Sequence, residues 1–429
     1  MAAPAAAGVV HGQYGQLRKL RGRLREFMPG PLRERYHRYA LRRDFGIDRK
    51  RGSRHPAGID PRRSPGLNVI GYFESPSGVG QSARSLADAA EKAGIPVARL
   101  DVSLRDKRLS QRAPYDVNLY HVNADGAAAI VEELGPGLHS GRANVAYWYW
   151  ESEEFPARWQ DRFDYFDEVW VASEFCRSTF ASRSPIPVVL VPPAVAPSAP
   201  AGDPRSRAGL APSDFLVLTI LDALSVPERK NPLGAIRAFA RAFPGSSEAL
   251  LRVQIRNLDE VSGLREALLE AGRGARISIT ESTLSRAELE SLLAACDAYV
   301  SLHRAEGFAF PIAEAMALGK PVVATGYSGN ADYFDETTGY PVAWSYRDLP
   351  FAIRDYDKGT RWAEPDEEDA ARLLRRVFER REEAAPRGRA AARRIAQLYG
   401  QDPVARRLSS RLEELRRRLS SGARQAGQV

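Results

Sequence analysis

Two cysteines in 429 residues, Cys176 and Cys296, are too few for a disulfide framework. They suit a reducing compartment and read as small apolar residues on sheet-flanking elements. No stretch approaches the ~18 consecutive apolar residues that a membrane-spanning helix needs. The opening MAAPAAAGVV has no preceding positive region and no proper apolar core, so it lacks the features of a signal peptide. No recognised nucleic-acid module accompanies the basic charge, and nucleic acid is not expected as a partner.

What is present is enough apolar material for large cores, 44% of a chain about three times the length of a typical domain. Two domains with extra segments are therefore expected. The net charge of +8 is unevenly placed, because residues 1–65 hold 16 Lys and Arg against 5 Asp and Glu. The rest of the chain is mildly acidic. Within the basic arm Leu17, Leu20, Leu24 and Phe27 recur at roughly helical spacing. An arginine-rich segment with an apolar stripe reads either as contact with an anionic membrane surface or as a solvated tail.

From Gly66 the pattern becomes strand, loop, helix. The run Leu67 to Tyr72 predicts a strand, ESPSGVG (Glu74 to Gly80) a glycine loop, and Gln81 to Ala93 an amphipathic helix. Alternating strands and helices follow to Val191. His121 closes one strand in NLYHVNAD, which places it at the carboxyl edge of the sheet. The aromatic run Tyr147 to Trp150 ends at Glu151. Alternate residues there are expected in the core, with Trp150 and Glu151 at the strand end as candidates for sugar contact. A Pro/Ala-rich segment, 192–212, reads as an inter-domain hinge. Beyond it Phe215 to Leu221 predicts a strand, followed by DALSVPERKN and a helix from Pro232.

The stretch 298–342 reads AYVSLHRAEGFAFPIAEAMALGKPVVATGYSGNADYFDETTGYPV. Its order is buried strand (Ala298 to Leu302), loop, helix from Pro311, strand (Val322 to Ala324), then a loop at 326–330 leading into another helix. Ligands of such open sheets bind at the carboxyl ends of the strands, where both loops lie. A helix N-terminus there favours an anion, and Gly307 lets a backbone N–H come close to it. Glu306 in the loop and Glu314 eight positions later could hold hydroxyls on either side.

The string EGFAFP through Glu314-Ala315, then GKPVVAT and SGN, resembles the donor-binding core of family 4-like (group 1) retaining glycosyltransferases. The resemblance covers roughly residues 67–400 and implies an α/β fold of GT-B type. In that fold two Rossmann-like domains face each other across a cleft, and C-terminal helices cross back. It implies that Glu306 and Glu314 flank a nucleotide-sugar, with Gly307, Phe308 and Ala309 against it. Gly78 and Gly80 would face the donor diphosphate from the first domain. Lys230 matches the lysine of the family's basic pair. The upstream arginine of that pair has no counterpart, since Leu224 and Ser225 stand there, and Arg229 is expected to substitute. Arg361 to Asp366 resembles the family's C-terminal crossing segment.

The expected layout is a basic arm (1–65), a Rossmann-like acceptor-side domain (66–195), a linker (196–212), a Rossmann-like nucleotide-sugar-binding domain (213–385) and a helical tail (386–429). The expected activity is transfer of a sugar from a nucleotide-sugar to a hydroxyl of a glycan or lipid-linked acceptor, in assembly of cell-surface glycan or polysaccharide. Glu306 and His121 are the expected catalytic residues. The alternative is a catalytically silent nucleotide-sugar-binding scaffold of a glycan assembly complex. No metal and no cofactor are expected, and Asp355-Tyr356-Asp357 reads as a chance triplet in a polar loop. The expected location is the cytoplasm, with a peripheral position on the inner face of the cell membrane through the arm.

Overall fold

The structure, a computed structural model, describes residues 30–45, 58–103, 109–198, 200 and 202–426. Near-continuous apolar runs build two parallel sheets, as strands covered on both faces require. The first holds β1 (Ser64–Gly71), β2 (Val97–Asp101), β3 (Tyr115–His121), β4 (Ala143–Tyr147), β5 (Glu168–Val171) and β6 (Val188–Leu190), in the order β2-β1-β3-β4-β5-β6. The second holds β7 (Phe215–Asp222), β8 (Ala249–Arg256), β9 (Ile277–Glu281), β10 (Ala298–Ser301), β11 (Val322–Thr325) and β12 (Tyr340–Val342), in the order β12-β11-β10-β7-β8-β9. In each sheet the chain order reverses beside the first strand, between β1 and β3 and between β7 and β10. A crevice opens at each reversal, and the two crevices face each other, which is the GT-B arrangement.

A polar seam runs through the first sheet. Asn68 Nδ2 donates to Asn118 Oδ1 and Asn118 Nδ2 to Asn144 Oδ1, each at 2.9 Å, across three register-matched strands. All three amides are fully buried, and the ladder satisfies groups that burial would otherwise penalise.

Several expectations are corrected. The helix Gly30–Phe45 makes part of the arm an element of the folded body. It buries His37, Leu41 and Phe45, and His37 Nε2 lies 2.9 Å from Asp164 Oδ2 beside the ring of Tyr165. The stripe of Leu17, Leu20, Leu24 and Phe27 lies outside the described residues. The 326–330 loop leads only into a short 3-10 turn, Ser328–Asp332, and no α-helix intervenes before β12 begins at Tyr340. Within the linker, the short helix Pro204–Arg207 is pinned to the second domain by Arg205 on Asp297 at 2.8 Å. Arg361–Pro365 is a strand, β14, paired antiparallel with β13 (Trp344–Asp348). The return to the first domain is made instead by the helix Gln401–Ala426, where Arg411 and Arg418 meet the fully buried Glu168 and Arg416 meets Asp116.

Candidate functional site

A cavity of about 500 Å³ lies between the two sheets, in the size range of small-ligand sites. Its floor is built by two loops at the carboxyl ends of neighbouring strands. After β7, Val226 and Asn231 take positive φ (58° and 50°) on either side of the single turn Pro227–Lys230. Asn231 then caps the helix Pro232–Ala242, its Oδ1 accepting from Gly234 N at 3.1 Å. This double bend directs Arg229 and Lys230 to the loop after β10.

There Lys230 Nζ donates to Glu306 Oε1 at 2.5 Å, and Arg229 Nη1 sits 3.3 Å from Glu306 Oε2. Burial works against the Glu306 carboxylate, but Lys230 and then Arg229 outweigh it and hold its pKa well below the ordinary value. Glu306 is therefore ionised. His303 beneath it is held neutral by burial, its Nε2 at 3.0 Å from Asn330 Oδ1.

Ala309, at φ 64°, turns the chain into the helix Phe310–Ala317, whose N-terminus opens into the cavity. Gly307, Phe308 and Ala309 all line the cavity. A side chain at Gly307 would put its Cβ 2.9 Å from Tyr149 Cδ1, so glycine is needed for the first domain to come this close. Ser173 Oγ also donates to Gly307 O at 2.7 Å across the same junction.

The remaining expected residues divide. Glu314 lines the cavity from the second turn of its helix, and its Oε1 pairs with Arg286 Nη1 at 2.6 Å. Burial raises its pKa and Arg286 offsets part of that rise. Arg286 itself went unread in the sequence: 28 positions separate it from Glu314, and it reads only as a charge at the start of a helix, inside the Ser285–Glu288 capping box. Gly78 lines the cavity at the start of the helix Gly78–Lys92. Gly80 does not. A Cβ there would meet Ser75 O at 2.4 Å and Tyr72 O at 2.6 Å, so its role is to let the loop close on itself.

His121 is not where a catalytic group must be. It is fully buried behind the cavity wall, stacked on Tyr147 at 4.5 Å, with Nε2 at 2.8 Å from Ser82 Oγ. Ser82 Oγ in turn lies 2.6 Å from Tyr149 OH, and Tyr149 forms the wall. Burial holds the imidazole neutral, with its pKa down to about 3. A strand-end position locates a residue along the strand, but here the ring turns inward to the Ser82 hydroxyl. Arg229 lines the cavity as well, but most of its guanidinium is already committed. It is 3% exposed, donates to Ala305 O at 2.7 Å and Ser225 Oγ at 3.0 Å, and so braces Glu306 from behind.

Among the described residues no group of three or more His, Cys, Asp or Glu could hold a metal ion. Asp357 pairs with Arg158 at 2.8 Å, and Tyr356 between the two aspartates packs on Trp150 with ring centres 4.8 Å apart.

Site and fold together can seat an anion near Lys230 and the Phe310 helix end, with hydroxyl-bearing rings on either side. Residues 225–394 match the family model of glycosyl transferases group 1. The fold is that of sucrose-phosphate synthase from Thermosynechococcus elongatus, with a TM-score of 0.60 and 16% identity over 82% of this chain and 99% of that one. HepE of Anabaena, solved with UDP-glucose, is similar with a TM-score of 0.59 and 15% identity over 82% of this chain and all of that one. A glycosyltransferase from Rickettsia africae follows with 0.58 and 13% over 82% and 99%. At such identities these likenesses establish the fold, and no curated protein matches significantly. Residues 225–394 thus match the group 1 glycosyl transferase model within a chain of GT-B fold.

Proposed function

We propose that this chain moves a sugar from a nucleotide-sugar to a hydroxyl acceptor with retention of configuration, in assembly of a cell-surface glycan or polysaccharide. One observation carries the reading: Lys230 and Glu306 meet at the carboxyl ends of β7 and β10, beside an open helix N-terminus. Lys230 and that helix end would hold the diphosphate and stabilise it as it leaves. Glu306 would hold the sugar and Glu314 the ribose. Retention is what the family resemblance implies. The intact Glu306–Lys230 pair speaks against a silent scaffold. UDP-, GDP- and dTDP-sugars screened by thermal shift should give one stabilising class. Purified protein should hydrolyse that donor slowly, whereas a scaffold would only bind it. The anomeric configuration of a transfer product, read by NMR, tests retention.

Transfer is expected to persist in EDTA, with Lys230 and the helix end supplying the positive charge. For the arm we infer contact with an anionic membrane surface, near a lipid-linked acceptor. The docked helix Gly30–Phe45 shows Leu32 and Tyr39 at 56% and 59% exposure, with Arg35, Arg42 and Arg43 exposed on the same element. Because that helix is part of the body, the proper comparison is full-length chain against one starting at Gly30. Anionic vesicles should pellet the full chain more, and high salt should abolish the difference.

A further inference from the structure

The first domain brings Glu151 to the Lys230–Glu306 centre. After β4 the chain continues as Trp148-Tyr149-Trp150-Glu151, and Tyr149 and Glu151 line the cavity while Trp148 and Trp150 pack away from it. The Glu151 carboxylate is held on two sides by the second domain. Tyr356 OH donates to its Oε2 at 2.7 Å, and Arg229 Nη2 lies 3.8 Å from its Oε1. Its backbone oxygen accepts from Trp362 Nε1 at 3.2 Å. The same Arg229 braces Glu306, so one buried guanidinium fixes two carboxylates from opposite domains.

A carboxylate has about four acceptor positions, and these contacts leave capacity facing the cavity. Several neighbouring groups have contacts of their own. Asn123 Oδ1 accepts from Tyr149 N at 3.0 Å, and Tyr149 OH is turned to Ser82. Arg84 is spent on the carbonyl oxygens of Phe73 and Ser75.

We propose that Glu151 binds the incoming hydroxyl group, that of the acceptor or of water in its absence, and aims its oxygen at the sugar held by Glu306. This rests on the transferase reading above. In the step itself the hydroxyl oxygen bonds to the anomeric carbon. The bond from that carbon to the diphosphate oxygen breaks, its electron pair leaving on the diphosphate, and the hydroxyl proton passes to that departing oxygen. Glu151 accepts a hydrogen bond throughout and gains no net proton. Tyr356 is a positioning residue, acting through Glu151.

The test is donor hydrolysis with UDP-glucose, GDP-mannose and dTDP-glucose, which needs no acceptor. Glu151→Gln should lower kcat about 10- to 150-fold, as expected for losing a hydrogen bond to a charged group. Donor KM should stay within about threefold, as should the Kd for the nucleoside diphosphate, and Tm should hold. Tyr356→Phe should lower kcat less, about 3- to 10-fold, with the same split. Arg158→Ala loosens the same inter-domain contact at Asp357 without touching Glu151, and should leave kcat unchanged. Wild-type hydrolysis with an unchanged Glu151→Gln rate overturns the assignment. So does a variant in which KM, Tm and kcat all worsen together with Arg158→Ala, since that marks Glu151 as an inter-domain tie. If the wild type turns over none of the three donors, the transferase reading fails first and this assignment with it.

Discussion

The two sheets have the same strand number and the same parallel winding, yet they place their buried charge differently. The first sheet buries neutral networks, the Asn68–Asn118–Asn144 ladder and the His121–Ser82–Tyr149 chain, and its buried acids Glu168 and Asp116 meet arginines of the last helix outside the cavity lining. The second buries charge beside the cavity, with Arg229, Lys230 and Glu306 in one cluster and Arg286 with Glu314 in another. Neutral amides can be satisfied inside a sheet at little cost, because each donor meets an acceptor. Buried charges cost several kcal/mol each unless paired, and the second sheet keeps them paired while leaving the cavity side open. The difference teaches that one sheet can use its buried charge to hold a helix while the other uses it to line a cavity.

The largest effect should follow from breaking the floor. Glu306→Gln is expected to cut turnover at least ~100-fold, since a group preorganised for the reacting sugar is lost. The fold should persist, because Arg229 keeps Ala305 and Ser225. Near-normal turnover in folded variant would remove Glu306 from the reaction. Lys230→Ala comes next. A charge-assisted contact is worth about 1.5–3 kcal/mol, so donor affinity should fall roughly 10- to 150-fold. An unchanged Kd for the donor nucleotide, measured by calorimetry, would point the lysine elsewhere.

Breaking the wall should act on stability instead. Asn118→Ala strands the partner amides of Asn68 and Asn144 and should cost about 1–3 kcal/mol, seen as a lower Tm with donor affinity retained. A large loss of donor affinity at constant Tm would show that the domains are not divided as described. The smallest effect concerns pH. Burial depresses His121 from 6.5 to about 3, and His303 also shifts down. The unfolded chain then binds more protons, so this stability is present above pH 6.5 and is lost as pH falls from 6.5 toward 3. His121→Gln should flatten the fall of Tm between pH 7 and 5 without abolishing it, because His303 remains. An identical slope in the variant would mean that His121 is not held neutral.

Much of the local structure was legible in the residues. The helices Gly78–Lys92 and Pro232–Ala242 begin at or within a few residues of where the pattern put them, and most strands agree within a few residues. Glu306 and Lys230 were also legible, because each sits in a loop just after a buried strand. Side-chain direction was not. His121 ends β3 and Glu151 follows β4, yet one turns into the core and the other into the cavity. The hairpin of β13 and β14 was missed, since WSYRD and RWAEP are short and polar on one face. The triplet at Asp355 read as chance, yet all three of its residues reach the first domain, Tyr356 at Glu151 and the two aspartates at Arg158.

The sequence by itself determined the two parallel sheets, their loops and the loop residues at each strand end, because hydrophobic runs, glycines and caps act over a few neighbouring positions. Tertiary structure alone decided which charges meet. Arg229 with Glu151 and Glu306, Arg286 with Glu314, and the arginines of the last helix with Glu168 are joined across 28 to 250 positions. A charge carries no local mark of its partner, and in low dielectric that partner decides whether it is a brace, a ligand or a cost.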